Sequence, residues 1–147
     1  KSDNTKIILV DSDAFIAFAK EGDALKGRAE EIFQILFEDP EVVFFTSNYV
    51  FAETITVVSQ HIGHGAATHI IDQIKSPTTP VTLLRVEEEI EEQAVTIFKN
   101  QTSKNVSFVD CTNIALVEMY SMHAIFSFDK IYKKHGLRTV EDIIPQT

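Results

Sequence analysis

Four acidic residues of this chain, far apart along it, have the types and positions from which a divalent-metal site could be built. Asp11 closes the apolar run Ile7-Ile8-Leu9-Val10, and Glu53 lies early in the helical stretch after Val42-Val43-Phe44-Phe45. Asp110 comes just after Ser107-Phe108-Val109, and Asp129 follows Ala124-Ile125-Phe126-Ser127-Phe128. Each stands where a short apolar run meets a helical pattern. Parallel α/β sheets bind ligands beyond the carboxyl ends of their strands. If the strands are neighbours, the four carboxylates converge in one pocket. Clustered carboxylates repel one another, so such a pocket wants a divalent cation. Hard carboxylate oxygens suit Mg²⁺ or Mn²⁺. One or two such ions can activate water and shield the charge that develops when a phosphodiester is hydrolysed.

Each acid also has a plainer reading. Asp11 and Ser12 are favoured helix N-caps. A cap needs only one acid, however, and Asp11-Ser12-Asp13 supplies two. Asp13 is therefore a fifth candidate ligand, with capping weighed equally. Glu53 has Tyr49, Val50 and Val57 on its own helical face, and no Lys or Arg occurs between Phe37 and Lys75. An acid on an apolar face is rarely buried without a partner. Ser107-x-x-Asp110 has capping-box spacing, with Asp in place of the usual Glu or Gln. Asp129 taken alone reads as an N-cap.

The elements that must position these acids alternate between strand and helix. That order indicates a parallel sheet flanked by helices, an α/β fold. Strands are expected at 7–10, 42–46, 81–84 and 124–128. Helices are expected at 13–20, 23–37, from a cap at Ser47 or Asn48 to about His61, at 64–75, 87–100 and 108–122. A short helix follows Asp129, and a last extended piece lies near 138–140. Ser76-Pro77-Thr78-Thr79-Pro80 reads as a loop.

Composition removes several function classes. A chain of 147 residues with 44% hydrophobic content suggests one domain spanning 1–147, with a core of about 7–144. A domain of this size buries roughly 68–70% of its unfolded surface. No apolar run approaches a membrane span, so no membrane partner is expected. The lone Cys111 builds neither a disulfide framework nor a zinc site, which makes the cytoplasm the default compartment. None of the five histidines has zinc spacing. No glycine-rich phosphate loop or nucleophilic-serine motif is present. The net charge of −9 is mild evidence against a nucleic-acid binder, but its distribution matters more. Glu87, Glu88, Glu89, Glu91 and Glu92 form one acidic block, whereas Lys130, Lys133, Lys134 and Arg138 cluster beside Asp129. These four cations are candidates for phosphate-backbone contacts, weighed equally against a solvated helix face.

The ordered set of motifs I-I-L-V-D-S-D-A-F-I-A, S-N-Y-V-F-A-E-T, S-F-V-D-C-T-N-I-A and I-F-S-F-D-K-I-Y-K-K resembles the PIN-domain nucleases, more narrowly the VapC-like toxins of toxin–antitoxin modules. The resemblance runs from about Ile7 to Ile144. It implies a three-layer α/β/α sandwich around a mainly parallel sheet. It also implies Mg²⁺- or Mn²⁺-dependent hydrolysis of RNA, a homodimer and an antitoxin partner. The family's four acids fall on Asp11, Glu53, Asp110 and Asp129. Asp13 departs from the small polar residue often found there. Ser127 stands where the family usually shows Thr, in a position to orient a water or a phosphate oxygen.

Two rival readings remain. A haloacid-dehalogenase-like phosphatase would use Asp11 as nucleophile, Asp13 as acid/base and Thr46 or Ser47 on the second strand. A non-catalytic protein-binding module on the same fold would need none of the acids.

Overall fold

Ile7-Ile8-Leu9-Val10 offers apolar side chains to both faces, as a strand covered on both sides requires. In the computed structural model, which describes residues 4–145, this run lies within β1 (Lys6–Val10) at the centre of the sheet. β1 pairs in parallel with β2 (Val42–Ser47) on one side and β4 (Ala124–Phe126) on the other. β3 (Val81–Leu84) extends the sheet beyond β2, so the order is β3-β2-β1-β4. The chain moves outward from β1 through β2 to β3 and then returns to the opposite side of β1. The switch point therefore lies between β1 and β4, where the crevice of an open parallel sheet forms.

Alternation along β1 divides the core. Ile8 and Val10 point with Phe44 and Phe126 towards α1 (Ser12–Ala19) and α2 (Lys26–Phe37), where Ala14, Ala17, Ala29 and Ile32 are buried. Leu9 and Ile125 point the other way. There α5 (Glu88–Asn100) and α6 (Phe108–Met119) contribute Ile90, Ala94, Ile114 and Leu116. The expected three-layer sandwich is the observed one. α3 (Asn48–His61) and α4 (His64–Lys75) build a satellite core of Val58, Ala67, Ile70 and Ile74. α7 (Ile131–Lys134) follows β4, and a 3₁₀ turn at Val140–Asp142 closes the described chain. Among the described residues no helix is long and apolar enough to cross a membrane.

Local chemistry explains the boundaries. Ser47 caps α3 by accepting from the Val50 N–H at 3.0 Å. Glu88, Glu89 and Glu91 occupy the first turn of α5, where negative charge suits the helix dipole. Two expectations need trimming. Helix α6 stops at Met119 rather than 122, because Ser121 takes φ 52° and the Met122 N–H closes back on the Val117 carbonyl at 2.9 Å. β4 stops at Phe126 rather than 128, because the Phe128 N–H turns to the Asp13 carboxylate at 2.7 Å. The extended piece near 138–140 is a single parallel bridge between Thr139 and Ile125. The outermost residues of the expected 1–147 unit, 1–3 and 146–147, lie outside the described residues.

Leu9 is fully buried between the central strand and the α5–α6 layer. Leu9→Ala is expected to lower unfolding free energy by about 2–5 kcal/mol, measured by denaturant titration.

Candidate metal centre

Asp11 ends β1 at the switch point, and its backbone N–H continues the ladder to the Phe126 carbonyl at 3.1 Å. Its side chain is only 5% exposed. Oδ1 accepts from the Ser12 N–H at 2.7 Å and from Asn113 Nδ2 at 3.0 Å, while Oδ2 accepts from the Tyr132 hydroxyl at 2.8 Å. Asp11 is thus the N-cap of α1 as well as a buried acid. Burial, then the neighbouring Asp13 charge, push its carboxyl up to about 7.

Asp110 arrives from α6. The capping box expected from Ser107-x-x-Asp110 is present: Oδ2 accepts from the Ser107 N–H at 2.9 Å, and the Asp110 N–H donates to Ser107 Oγ at 3.0 Å. The other carboxylate oxygen faces the Tyr132 hydroxyl at 3.1 Å. One phenol oxygen therefore joins Asp11 to Asp110. Phe108 and Val109 already belong to α6, so Asp110 stands in that helix's first turn, as the helix expected from about 108 implies.

Glu53 reaches the centre from α3, where its Oε1 accepts from Ser12 Oγ at 2.8 Å. Burial, and then the Asp110 charge, raise its carboxyl above the usual range, opposed by that hydrogen bond. The partner that sequence could not find for Glu53 is thus a hydroxyl rather than a cation. A groove of about 490 Å³ opens beside Glu53, lined by Asn48, Tyr49, Ala52, Thr56, Val57 and Val109.

Asp13 and Asp129 meet through a loop. Asp13 Oδ2 accepts from Ser127 Oγ at 3.1 Å and from the Phe128 N–H at 2.7 Å. Ser127 Oγ accepts in turn from the Asp129 N–H at 3.1 Å. Asp129 is exposed, and its Oδ1 accepts from the Ile131 N–H at 3.0 Å. Burial pushes the Asp13 carboxyl up to about 6 against the two hydrogen bonds from the loop. Asp13 Oδ1 is buried without a hydrogen-bond partner.

The structure therefore gathers the expected acids at one end of the sheet. Asp11, Asp110 and Tyr132 are in direct contact. Glu53 joins through Ser12, and Asp129 through Ser127 and Asp13. Lys130, Lys133, Lys134 and Arg138 are exposed nearby in sequence, with Lys133 paired to Asp142 at 3.0 Å. Sequence reading missed Tyr132, Asn113 and Ser12 as members of this network. The signal for two of them was spacing: Asn113 stands three residues after Asp110 on one helix, and Tyr132 three after Asp129.

The donor set fits a hard divalent cation. Its oxygens are carboxylate oxygens, one of them on Asp13 is orphaned, and among the described residues no Lys, Arg or His forms an ion pair with Asp11, Asp13, Glu53, Asp110 or Asp129. No three such side chains among the described residues close into a ready-made ligand cluster, and between Asp11 and Asp110 stands the Tyr132 hydroxyl.

The phosphatase reading is not favoured. Thr46 Oγ1 is fully buried and donates to the Val10 carbonyl at 2.9 Å, while Ser47 is committed to capping α3. Neither hydroxyl is available to a phosphate.

Residues 8–136 match the PIN domain family. The chain is 30% identical over 130 residues to a protein named 23S rRNA-specific endonuclease VapC20, from two strains of Mycobacterium tuberculosis, covering 88% of this chain and 95% of the relative. The crystal structure of Mycobacterium tuberculosis VapC20, described as a sarcin-ricin loop cleaving toxin, superposes with a TM-score of 0.79. The two are 29% identical over 88% of this chain and 95% of that one. A toxin–antitoxin complex from Klebsiella pneumoniae shares the fold, with a TM-score of 0.55 at 10% identity over 84% and 87% of the two chains.

The raised carboxyls carry a pH signature. A folded carboxyl held above its usual 3.8 contributes stability below that value and loses it as pH rises through its folded value, about 7 for Asp11 and about 6 for Asp13. In chelator the thermal midpoint is therefore expected to fall as pH rises between 3.8 and about 7. Asp11→Asn, which cannot titrate there, is expected to flatten that fall when the midpoint is followed by circular dichroism.

Proposed function

This chain belongs to the PIN domain family, and from that membership we propose that it is a divalent-cation-dependent endoribonuclease, the toxin of a toxin–antitoxin pair. The observation that carries the reading is the buried Asp11 carboxylate, joined to Asp110 through one hydroxyl at the sheet's switch point and given no cationic side chain. A stable fold has little use for that arrangement, because it concentrates like charge. A phosphodiesterase has a use for it.

Asp11, Asp110, Asp129 and Glu53 would hold Mg²⁺ or Mn²⁺. When bound, the cation supplies charge for the anionic transition state and lowers the pKa of a water. Asp13, the fifth candidate, would offer its unpartnered Oδ1 to the cation. Its Oδ2 grips the Ser127 hydroxyl and the Phe128 N–H, which directs where Asp129 projects. Ser127 accepts from the Asp129 N–H, which orients the loop from its other side. Lys130 and Lys134 are exposed just after Asp129 and would contact RNA phosphates. Lys133 would have to leave Asp142 to do the same. Arg138, also exposed, instead shares a pocket wall with Met122 and His123 at the opposite end of β4.

The relatives named for 23S rRNA cleavage support RNA as the substrate class, with ribosomal RNA the first substrate to test. We propose that residues of about 7–144 act as one catalytic unit in the cytoplasm. Exposed Phe37, Phe98, Met119 and Tyr120 are apolar surface suited to a homodimer or an antitoxin. The non-catalytic alternative requires a site that binds no cation.

Asp11→Asn and Asp110→Asn are each expected to reduce RNA cleavage by about three orders of magnitude, equivalent to about 4 kcal/mol of transition-state stabilisation. Asn remains a good N-cap, so the Asp11 variant should stay folded by circular dichroism. Chelator is expected to abolish wild-type cleavage, and added Mg²⁺ or Mn²⁺ to restore it. Undiminished cleavage by the folded double variant would reject the assignment.

A further inference from the structure

Tyr132 is fully buried, and its ring packs in the core layer under α5 and α6. A phenylalanine would fill that space equally well. The hydroxyl is what distinguishes this residue, and it is spent entirely on the acidic centre. It lies 2.8 Å from Asp11 Oδ2, 3.1 Å from Asp110 Oδ1 and 2.9 Å from Asn113 Nδ2.

Counting protons orders these contacts. Asn113 Nδ2 carries two, and its two partners are Asp11 Oδ1 and the Tyr132 oxygen. The amide cannot be turned round, because its oxygen would then face a carboxylate. Its own Oδ1 is buried without a partner, so nothing on that side dictates its orientation. The phenol, accepting from Asn113, has one proton left to donate. Asp11 Oδ2, the closer oxygen, receives it. Asp110 Oδ1, the farther oxygen, shares that proton from the other side, while Asp110 Oδ2 is held by the Ser107 N–H.

Resting on the cation-dependent reading above, we propose that Tyr132, oriented by Asn113, is a positioning residue that sets the separation of Asp11 and Asp110 for the divalent cation. Asp11 is anchored on both oxygens, and Asp110 is held by the Ser107 N–H on one oxygen and by the shared phenol proton on the other. Three elements supply this device: the end of β1, α6 and α7. Asp11 is 102 residues from Asn113 and 121 from Tyr132, so no local turn could hold the spacing. Partners of this kind around ligating groups govern cation affinity by roughly 10- to 100-fold.

The test is calorimetric titration of chelator-stripped wild type and Tyr132→Phe with MnCl₂ and with MgCl₂, alongside the thermal midpoint of each cation-free protein. The expected result is binding by wild type and a dissociation constant at least tenfold larger for Tyr132→Phe. Equal affinities with a lowered midpoint would overturn the proposal and leave Tyr132 a purely structural residue. A wild type that binds neither cation would instead overturn the cation-dependent reading itself. The second measurement does not require the Tyr132 variant to fold. The chain has three tyrosines and no tryptophan, so in Tyr49→Phe Tyr120→Phe the only tyrosine is Tyr132. Its near-ultraviolet absorbance is expected to shift on adding MgCl₂ with the affinity measured by calorimetry. An unchanged spectrum under saturating cation would overturn the proposal.

Discussion

Like charge brought together out of water is the constraint on which this structure turns. Asp11 is buried at the end of the central strand, Asp110 shares a hydroxyl with it, and Glu53 and Asp13 stand close enough to feel neighbouring carboxylates. A basic side chain would relieve the repulsion but would occupy the place of a metal ion. The groups that line this centre are neutral instead: a phenol, an amide, two serine hydroxyls and backbone N–H groups. Neutral donors fix the direction of a carboxylate without cancelling its charge. That is the condition a cation-binding hydrolase needs before its cation arrives.

The layers around the sheet serve this centre unequally. On one face, α1 begins at Asp11 itself, so the strand-to-helix turn both buries the acid and turns Ser12 towards Glu53. On the other face, α6 contributes Asp110 and Asn113 from a helix whose residues from Cys111 to Val117 are all buried. Such a helix cannot rotate without disturbing the core beneath Leu9 and Ile125. Asp13 spans the two sides by gripping the loop after β4. Its charge is absorbed as a clamp on Ser127 and Phe128.

Much of this was legible in the chain. An apolar tetrapeptide ending on Asp11 announced a buried strand and a junction, because side chains that are apolar on both faces of a strand need cover on both. Ser107 and Asp110 announced a helix start through capping chemistry, which is local. Glu53 stood out because its helical neighbours are apolar. Tyr132 did not stand out. In Lys130-Ile131-Tyr132-Lys133-Lys134 a lone aromatic among lysines looks like one apolar contact on a solvated helix. Its hydroxyl gains meaning only from Asp11 and Asn113, which tertiary folding alone delivers. The same holds for Asp13: spacing suggested a ligand, and only the return of β4 beside β1 reveals the backbone it holds. Helix ends were blurred for a smaller reason, since Ser121 adopts a backbone conformation that its residue type does not advertise.

The strand order has one last consequence, for synthesis of the chain on the ribosome. The final strand lies against the first, and the hydroxyl that meets Asp11 comes 121 residues later. At typical translation speeds that gap takes about 6–24 s to emerge. During that interval the nascent polypeptide carries its first acid but no competent centre. A truncated product lacking the last fifth of the sequence would lack β4, Asp129 and Tyr132. Assembly of the acidic centre thereby waits for the last strand of the sheet to emerge and dock against the first.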